Sequence, residues 1–303
     1  MSKKRDRRSG GPVPARPVEK EPPPPPQRRS GLFGSAAQSP YPPFGVSVAA
    51  GFRAVGRRPL LLALTLLAPL AFWAGFIALG TAPPPQALVL LTGLPPVHVS
   101  LDVALVNQAA GTAVSTTAMV LGSAAVRALA LGMFALLLIA SLREEPAGPS
   151  LRRLPRVAGI LFLVISVEFA LVLAVPLLVQ SVAGPALGNL GVIAALILGL
   201  HYLGMAPAIA AAEPDPAAEI LRRSVRAARL PGPRHLLLVV AYFSFVFWAA
   251  TITPAGPNAP ITPSPAVWGF ALVGSLVHIG ALGTFLFRWL AVRDQVPRAE
   301  PRR

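Results

Sequence analysis

Six long apolar runs constrain the fold of this chain more than any other feature. They lie at approximately 59–80, 118–141, 157–180, 187–211, 236–252 and 266–291. A bilayer core about 30 Å thick needs about 20 apolar residues in a helix. Only 13% of the residues are charged, whereas a soluble domain carries about 25%. The sequence therefore predicts an all-α, polytopic membrane protein with six transmembrane helices.

The basic residues provide an independent test of this topology. Of the 27 Lys and Arg residues, 26 fall in the N-terminal region, at the C-terminal end, or in the connections after the second and fourth runs. Lys and Arg in short loops collect on the cytoplasmic side, so both termini are predicted to be cytoplasmic. A preference for Arg over Lys, together with abundant Ala and Pro, is typical of GC-rich bacterial genomes and indicates a bacterial inner (cell) membrane. The net charge of +15 then marks topology and lipid contact, and we expect no nucleic acid partner.

Composition shifts divide the chain into three regions. Residues 1–43 are predicted to form a disordered, Pro/Arg-rich cytoplasmic tail, because they include five consecutive prolines, Pro22 to Pro26, and few core-forming residues. Residues 44–292 form the six-helix transmembrane domain, and residues 293–303 form a short basic cytoplasmic tail. The proline run could dock into an aromatic groove of a protein partner, or the tail could be a solvated tether.

Arg-rich segments precede the first, third and fifth runs. They predict three helical hairpins, each entered through a cytoplasmic interfacial elbow helix, although the middle segment is equally consistent with an ordinary Arg-rich loop. Asp215 and Pro216 are predicted to start the third elbow helix, with its apolar side in the acyl boundary. The arginines expected to contact anionic lipid headgroups are Arg53, Arg57, Arg58, Arg222, Arg223 and Arg226.

Two of these segments carry a family resemblance. They are FGVSVAAGFRAVGRRPLLLALTLL from Phe44 and AEILRRSVRAARLPGPRHLLLV from Ala218. The layout resembles a group of bacterial six-span membrane proteins that is similar to the membrane domain attached to some glycerophosphodiester phosphodiesterases. The resemblance covers roughly residues 44–292 and includes no phosphodiesterase domain. It therefore implies a fold and no activity.

Four ionisable residues lie inside the runs. Arg127, Glu168, His201 and His278 are predicted to share one polar layer near the midplane, because each lies about 13–21 Å from the outer end of its helix. Arg127 and Glu168 are expected to form a salt bridge, since each would otherwise be a buried charge without a partner. The layer could be a proton or solute pathway, but we favour a structural polar clasp between helices. A two-His, one-carboxylate metal site is a minor alternative. His98 and His235 are predicted to be solvated loop residues.

Other features leave alternatives open. Gly191, Ala195 and Gly199 form a stripe of small residues, which predicts close helix contacts within the chain or between copies in a homo-oligomer. The polar stretch 101–117 could be a helical extension or a re-entrant cap.

We find no motif of an enzyme or of a cofactor site, and the chain has no cysteine. We therefore expect no catalytic activity, no cofactor and no metal. The sequence favours a non-catalytic scaffold, or a membrane domain associated with lipid or a protein partner. The alternative is a small transporter or permease-type subunit.

Overall fold

The computed structural model describes residues 39–78, 85–95, 116–252 and 263–298, and every regular element in these ranges is a helix. The helices are α1 Phe44–Gly56, α2 Pro59–Ala78, α3 Pro85–Leu90, α4 Thr116–Leu142, α5 Ala147–Leu151, α6 Leu154–Ala183, α7 Pro185–Leu203, α8 Ala206–Ala212, α9 Ala217–Ala228, α10 Arg234–Ile252 and α11 Pro265–Val292, followed by a 3₁₀ turn at Arg293–Gln295. The predicted tail residues 1–38, the polar stretch 101–115 and His98 lie outside the described residues.

Five helical stretches are long and apolar enough to cross a membrane. A sixth is added if α1 and α2, which are bent by 92° relative to each other, count together as one span. Within the described residues, the prediction of an all-helical chain with several helices long and apolar enough to span a membrane is confirmed. The fourth predicted run corresponds to two helices, α7 and α8, which are broken at Gly204 and Met205.

Small residues allow α1 to lie directly against α11. A Cβ atom added to Gly51 would come within 2.5 Å of the Gly280 carbonyl oxygen and the Thr284 nitrogen. Ser47 and Ala54, on the same side of α1, are buried. This side of α1 is therefore fixed to the bundle, whereas Val46 and Phe52 are exposed by 53% and 40%.

Helices α6 and α7 form a hairpin with almost no loop. Gly184, at φ 87°, turns the chain between them, and this left-handed conformation favours glycine. Across the hairpin, a Cβ atom on Gly191 would approach Pro176 Cα to 3.2 Å. The predicted small-residue contact of Gly191 is thus formed within the chain.

Helix α9 packs against the protein with the side that we expected to meet lipid. Ile220 is fully buried, and Leu221 and Val225 are half-buried. The helix begins at Ala217, and neither Asp215 nor Pro216 caps it with a side chain. The cap prediction was wrong because the Asp215 carboxylate is used elsewhere, in an ion pair with an arginine of α9.

The predicted boundary of the N-terminal tail also needs a correction. Tyr41 is 0% exposed, and its hydroxyl donates a 2.6 Å hydrogen bond to the Ala227 carbonyl oxygen. Arg234 donates to the Tyr41 carbonyl oxygen at 2.5 Å. Residues 39–43 are therefore docked on the bundle. At the other end of the chain, Val296 is 1% exposed, so the C-terminal segment is also packed as far as this residue.

Candidate functional site

A short segment inserts into the middle of the bundle. After α2, residues 85–95 run through α3 and a turn, and Leu88, Val89 and Leu94 are almost completely buried. Their partners are His278, near the midpoint of α11, and Tyr242, near the midpoint of α10. Residues 85–95 therefore lie inside the bundle, at the level of the midpoints of α10 and α11. Irregular backbone is tolerated at membrane depth only where protein or a water-filled cavity surrounds it.

Four buried hydrogen bonds hold this segment. The Leu94 amide donates to the Tyr242 hydroxyl oxygen at 2.9 Å, and that hydroxyl donates to His278 Nδ1 at 2.7 Å. His278 Nε2 donates to the Val89 carbonyl oxygen at 3.1 Å. The Thr92 hydroxyl donates a hydrogen bond to the Ser275 hydroxyl oxygen at 3.2 Å. We call these six residues the central clasp, because losing one partner would leave buried polar groups unsatisfied at about 1–3 kcal/mol each.

Arg127 lies on the other side of the inserted segment. It is 1% exposed, donates from Nε to the Ser123 carbonyl oxygen at 3.3 Å, and borders a small cavity beside Phe72 and Thr92.

The predicted salt bridge with Glu168 is not formed in the structure. Gly132 of α4 faces α6, because a Cβ atom added to it would lie 3.2 Å from a methyl carbon of Leu154. Arg127 lies five residues earlier on α4, which is a rotation of about 140° around the helix. Its side chain therefore points away from α6, the helix that carries Glu168.

Glu168 is buried on the stripe of α6 that includes Val164 and Val172. The side chain is 1% exposed, and its two carboxyl oxygens accept no hydrogen bond within the part of the chain that the structure describes. Burial of a carboxyl group without such a partner is costly, and nothing in the fold of α6 accounts for it.

The predicted polar layer is split into separate places. His201 is in contact with His235, with ring centroids 5.0 Å apart, and His235 Nε2 donates to the His201 carbonyl oxygen at 2.9 Å. Tyr242 of the central clasp lies seven positions after His235 in α10, which is about 10 Å along the helix. His201, His278 and Glu168 are therefore not arranged as a metal site, and the described residues contain no metal-binding cluster of His, Asp and Glu.

His235 was predicted to be a solvated loop residue, and this was wrong. It lies in the first turn of α10, is 1% exposed, and stacks on Tyr41 with ring centroids 5.4 Å apart. The guanidinium of Arg288 also lies 5.6 Å from the Tyr41 ring centroid. Burial raises the pKa of the Tyr41 hydroxyl above its ordinary value, and nearby Arg288 opposes this only in part. Tyr41 is thus held as a neutral hydrogen-bond donor.

The six arginines expected at headgroups have different environments. Five have accessible side chains or lie at the surface: Arg53, Arg57, Arg58, Arg222 and Arg226. Arg223 is the exception and is removed from this set. Its side chain is 5% exposed and pairs with Asp215 at 2.5 Å. It also donates to the Val296 carbonyl oxygen at 3.1 Å and lies over the Trp289 ring.

A groove lies beside the bend between α1 and α2, with a cavity volume of about 550 Å³. At its rim, Arg57 and Glu144 form a 3.0 Å ion pair with both side chains largely exposed, and such pairs contribute about 0–1 kcal/mol. Glu144 adopts φ 58°, a left-handed conformation that costs a non-glycine residue about 1–2 kcal/mol. This position after a helix commonly carries glycine. The stability gained from the ion pair does not exceed the cost of the left-handed backbone, so stability does not explain why Glu144 is here.

Sequence reasoning missed several residues of these sites. Tyr41 and Tyr242 carry no charge and fit an interfacial or apolar environment equally well. Arg288 was counted with the C-terminal loop, yet it is 0% exposed and donates to Ser47 Oγ at 3.0 Å. Its position inside the predicted run 266–291 was a usable signal of burial.

The chain matches no protein-family model, no curated protein and no solved structure. The resemblance to membrane domains attached to phosphodiesterases therefore stays a prediction.

Proposed function

We propose that this chain is a non-catalytic, multi-pass protein of the bacterial inner membrane whose cytoplasmic side associates with anionic lipid. In this proposal six spans form three hairpins, and both termini are cytoplasmic. The segregation of the basic residues supports that orientation. The fold is proposed to correspond to the membrane domain attached to some glycerophosphodiester phosphodiesterases, without their catalytic domain.

The exposed side of α1 is the observation that carries the proposal. The opposite side is fixed to α11 through Gly51, so the exposed side has a defined orientation. It presents Val46, which is exposed by 53%, together with exposed Ala49 and Arg53. Apolar and basic side chains on the exposed side of a helix that is bent by 92° from the apolar helix α2 are features of an interfacial helix.

The N-terminal tail provides a second part of the proposal. Tyr41 is fixed beside Ala227 and Arg234, and the Pro22–Pro26 run precedes this anchored residue in the sequence. A proline run in such a position is suited to an aromatic groove of a protein partner. A lysate pull-down with residues 1–38 present or deleted tests this part. We expect a protein that is captured by the full chain to be lost when residues 1–38 are deleted. An unchanged set of captured proteins contradicts a partner site in the tail.

The absence of cysteine makes the orientation simple to test. Ser181→Cys and Ala218→Cys place single thiols at exposed positions on opposite sides of the proposed membrane. In cells whose outer envelope is permeabilised and whose inner membrane is intact, a membrane-impermeant maleimide should label position 181. It should label position 218 only after lysis. The reverse pattern contradicts the cytoplasmic placement of α9.

Lipid contact is tested by thermal unfolding in nanodiscs. Adding phosphatidylglycerol to phosphatidylcholine nanodiscs should raise the stability of the protein. Arg53→Gln should reduce that gain by about 1 kcal/mol, since each basic residue at an anionic surface contributes about this amount. A gain that is identical in the wild type and in Arg53→Gln contradicts the contact.

A small transporter is the second candidate, because the re-entrant segment 85–95 favours it. Such segments are tolerated where they are buried in protein or line a cavity. Elsewhere in the bundle, Glu168 is a buried carboxyl group without a described hydrogen-bond partner. In proteoliposomes with a pH gradient, the non-catalytic proposal predicts no proton flux. Flux that is abolished by Glu168→Gln, while the melting temperature is retained, would establish the transporter instead.

A further inference from the structure

The groove beside the α1–α2 bend combines two surfaces of different chemistry. Its polar rim includes Arg57, Arg58 and Glu144, whereas Leu60, Leu61 and Leu137 form apolar wall. Leu60 is exposed by 62% although it lies in the first turn of α2. A glycerophospholipid, with its phosphate and its acyl chains, needs both surfaces side by side, whereas a free phosphate ion needs only the polar rim.

The position of the groove fits the headgroup level of a membrane. Helix α1 ends at Gly56, and α2 starts at Pro59 after a turn of 92°. If α1 lies in the interface, as proposed above, the groove opens where the interface meets the first membrane-spanning helix.

The two arginines at the rim are held differently. Arg58 donates to the carbonyl oxygens of Ala140, at 3.1 Å, and of Glu145, so it is fixed at the end of α4. These contacts use one of its nitrogens, and a guanidinium has five N–H donors. Arg57 is bound only to Glu144 among its described side-chain partners, and both side chains of that pair are exposed by about half or more. Arg57 can therefore exchange one oxyanion for another at little cost.

We propose that the groove binds one anionic glycerophospholipid. Its phosphate replaces the Glu144 carboxylate on Arg57 and contacts Arg58, and its acyl chains lie against Pro59 and Leu60, the exposed apolar residues of the lining. In this proposal Glu144 is a latch, which occupies Arg57 when no lipid is bound. The left-handed conformation of Glu144 is retained because the carboxylate must reach Arg57 from this turn.

Native mass spectrometry of the full chain in neutral detergent tests the site. Phosphatidylglycerol, phosphatidylcholine and inorganic phosphate are titrated separately. We expect one phosphatidylglycerol to bind with about fivefold preference over phosphatidylcholine, which corresponds to one arginine contact. Arg57→Gln should remove the preference, and Glu144→Gln should strengthen phosphatidylglycerol binding because it removes the competing carboxylate. Glu145→Gln is the matched control, since it neutralises the neighbouring residue, whose side chain makes no described contact with Arg57.

The outcomes separate this site from the general proposal of lipid association. A phosphatidylglycerol preference that survives Arg57→Gln and is unchanged by Glu144→Gln overturns the groove and leaves lipid association standing. Equal binding of both lipids by the wild type overturns both. Inorganic phosphate that binds as tightly as phosphatidylglycerol overturns the lipid and identifies a simple anion site. Thermal melting of each variant confirms that it is folded.

Discussion

Helices α1 and α9 both carry arginines and both precede a leucine-rich helix, but the sides that they bury differ in chemistry. Helix α1 buries small residues such as Gly51 and leaves Val46 and Arg53 exposed on the opposite side. Helix α9 buries its apolar side, as at Ile220, and even buries Arg223. An amphipathic pattern therefore does not decide which side of a helix packs on the protein. A small-residue surface on α1 and the carboxylate of Asp215 beside α9 decide it here.

The largest expected effect comes from two adjacent arginines of α9. Arg223→Gln should lower the free energy of unfolding by about 3 kcal/mol, at the lower end for a broken buried ion pair, because the exposed Arg298 still pairs with Asp215 at 2.9 Å. Arg222→Gln is the matched control: its side chain is 64% exposed, and we expect a change of about 0.5 kcal/mol or less. Chemical unfolding in mild detergent measures both. Equal effects of the two variants would show that Asp215 does not hold α9 on the protein.

The next effect concerns the small-residue side of α1. Gly51→Ala should lower the free energy of unfolding by about 1–3 kcal/mol, since its Cβ would collide with the backbone of α11. Gly45→Ala in the same helix meets nothing within 4 Å and should be neutral or slightly stabilising. The same unfolding measurement applies. If both variants behave alike, α1 does not lie against α11 in solution.

A smaller effect is expected at Tyr41, which lies between the two regions. Tyr41→Phe removes the hydrogen bond to Ala227 and should cost about 1 kcal/mol.

The same residue makes a pH prediction. Burial raises the pKa of Tyr41 above its ordinary value of 10.0, so above about pH 10 the unfolded chain loses this proton more readily than the folded one. Stability from this group is therefore complete below pH 10 and falls as the pH rises further. Unfolding curves between pH 8 and about pH 11 should decline less steeply for Tyr41→Phe than for the wild type. Parallel curves would contradict the buried docking of Tyr41.

The helices themselves could be predicted from the sequence because apolar length is a local property. The observed bounds agree with the predicted runs to within three residues wherever both are described, apart from the break between α7 and α8. Contacts between helices depend on rotation about each axis, and a single sequence does not determine it. Arg127 and Glu168 are at similar depths, yet Arg127 faces the inserted segment instead of α6. The inserted segment 85–95 was missed because its apolar residues are too few for a span and its partners, Tyr242 and His278, lie far away in the sequence.

The central claim is that the uncovered side of α1 lies in the membrane interface, whereas α9 is folded onto the protein. Single fluorophores on Val46→Cys and Ala218→Cys, in nanodiscs containing phosphatidylglycerol, test it by quenching with spin-labelled lipid and with aqueous iodide. We predict that the label at position 46 is quenched by the lipid-borne spin label and is protected from iodide, and that the label at position 218 shows the opposite pattern. Iodide quenching at position 46 without quenching by the lipid would contradict the claim.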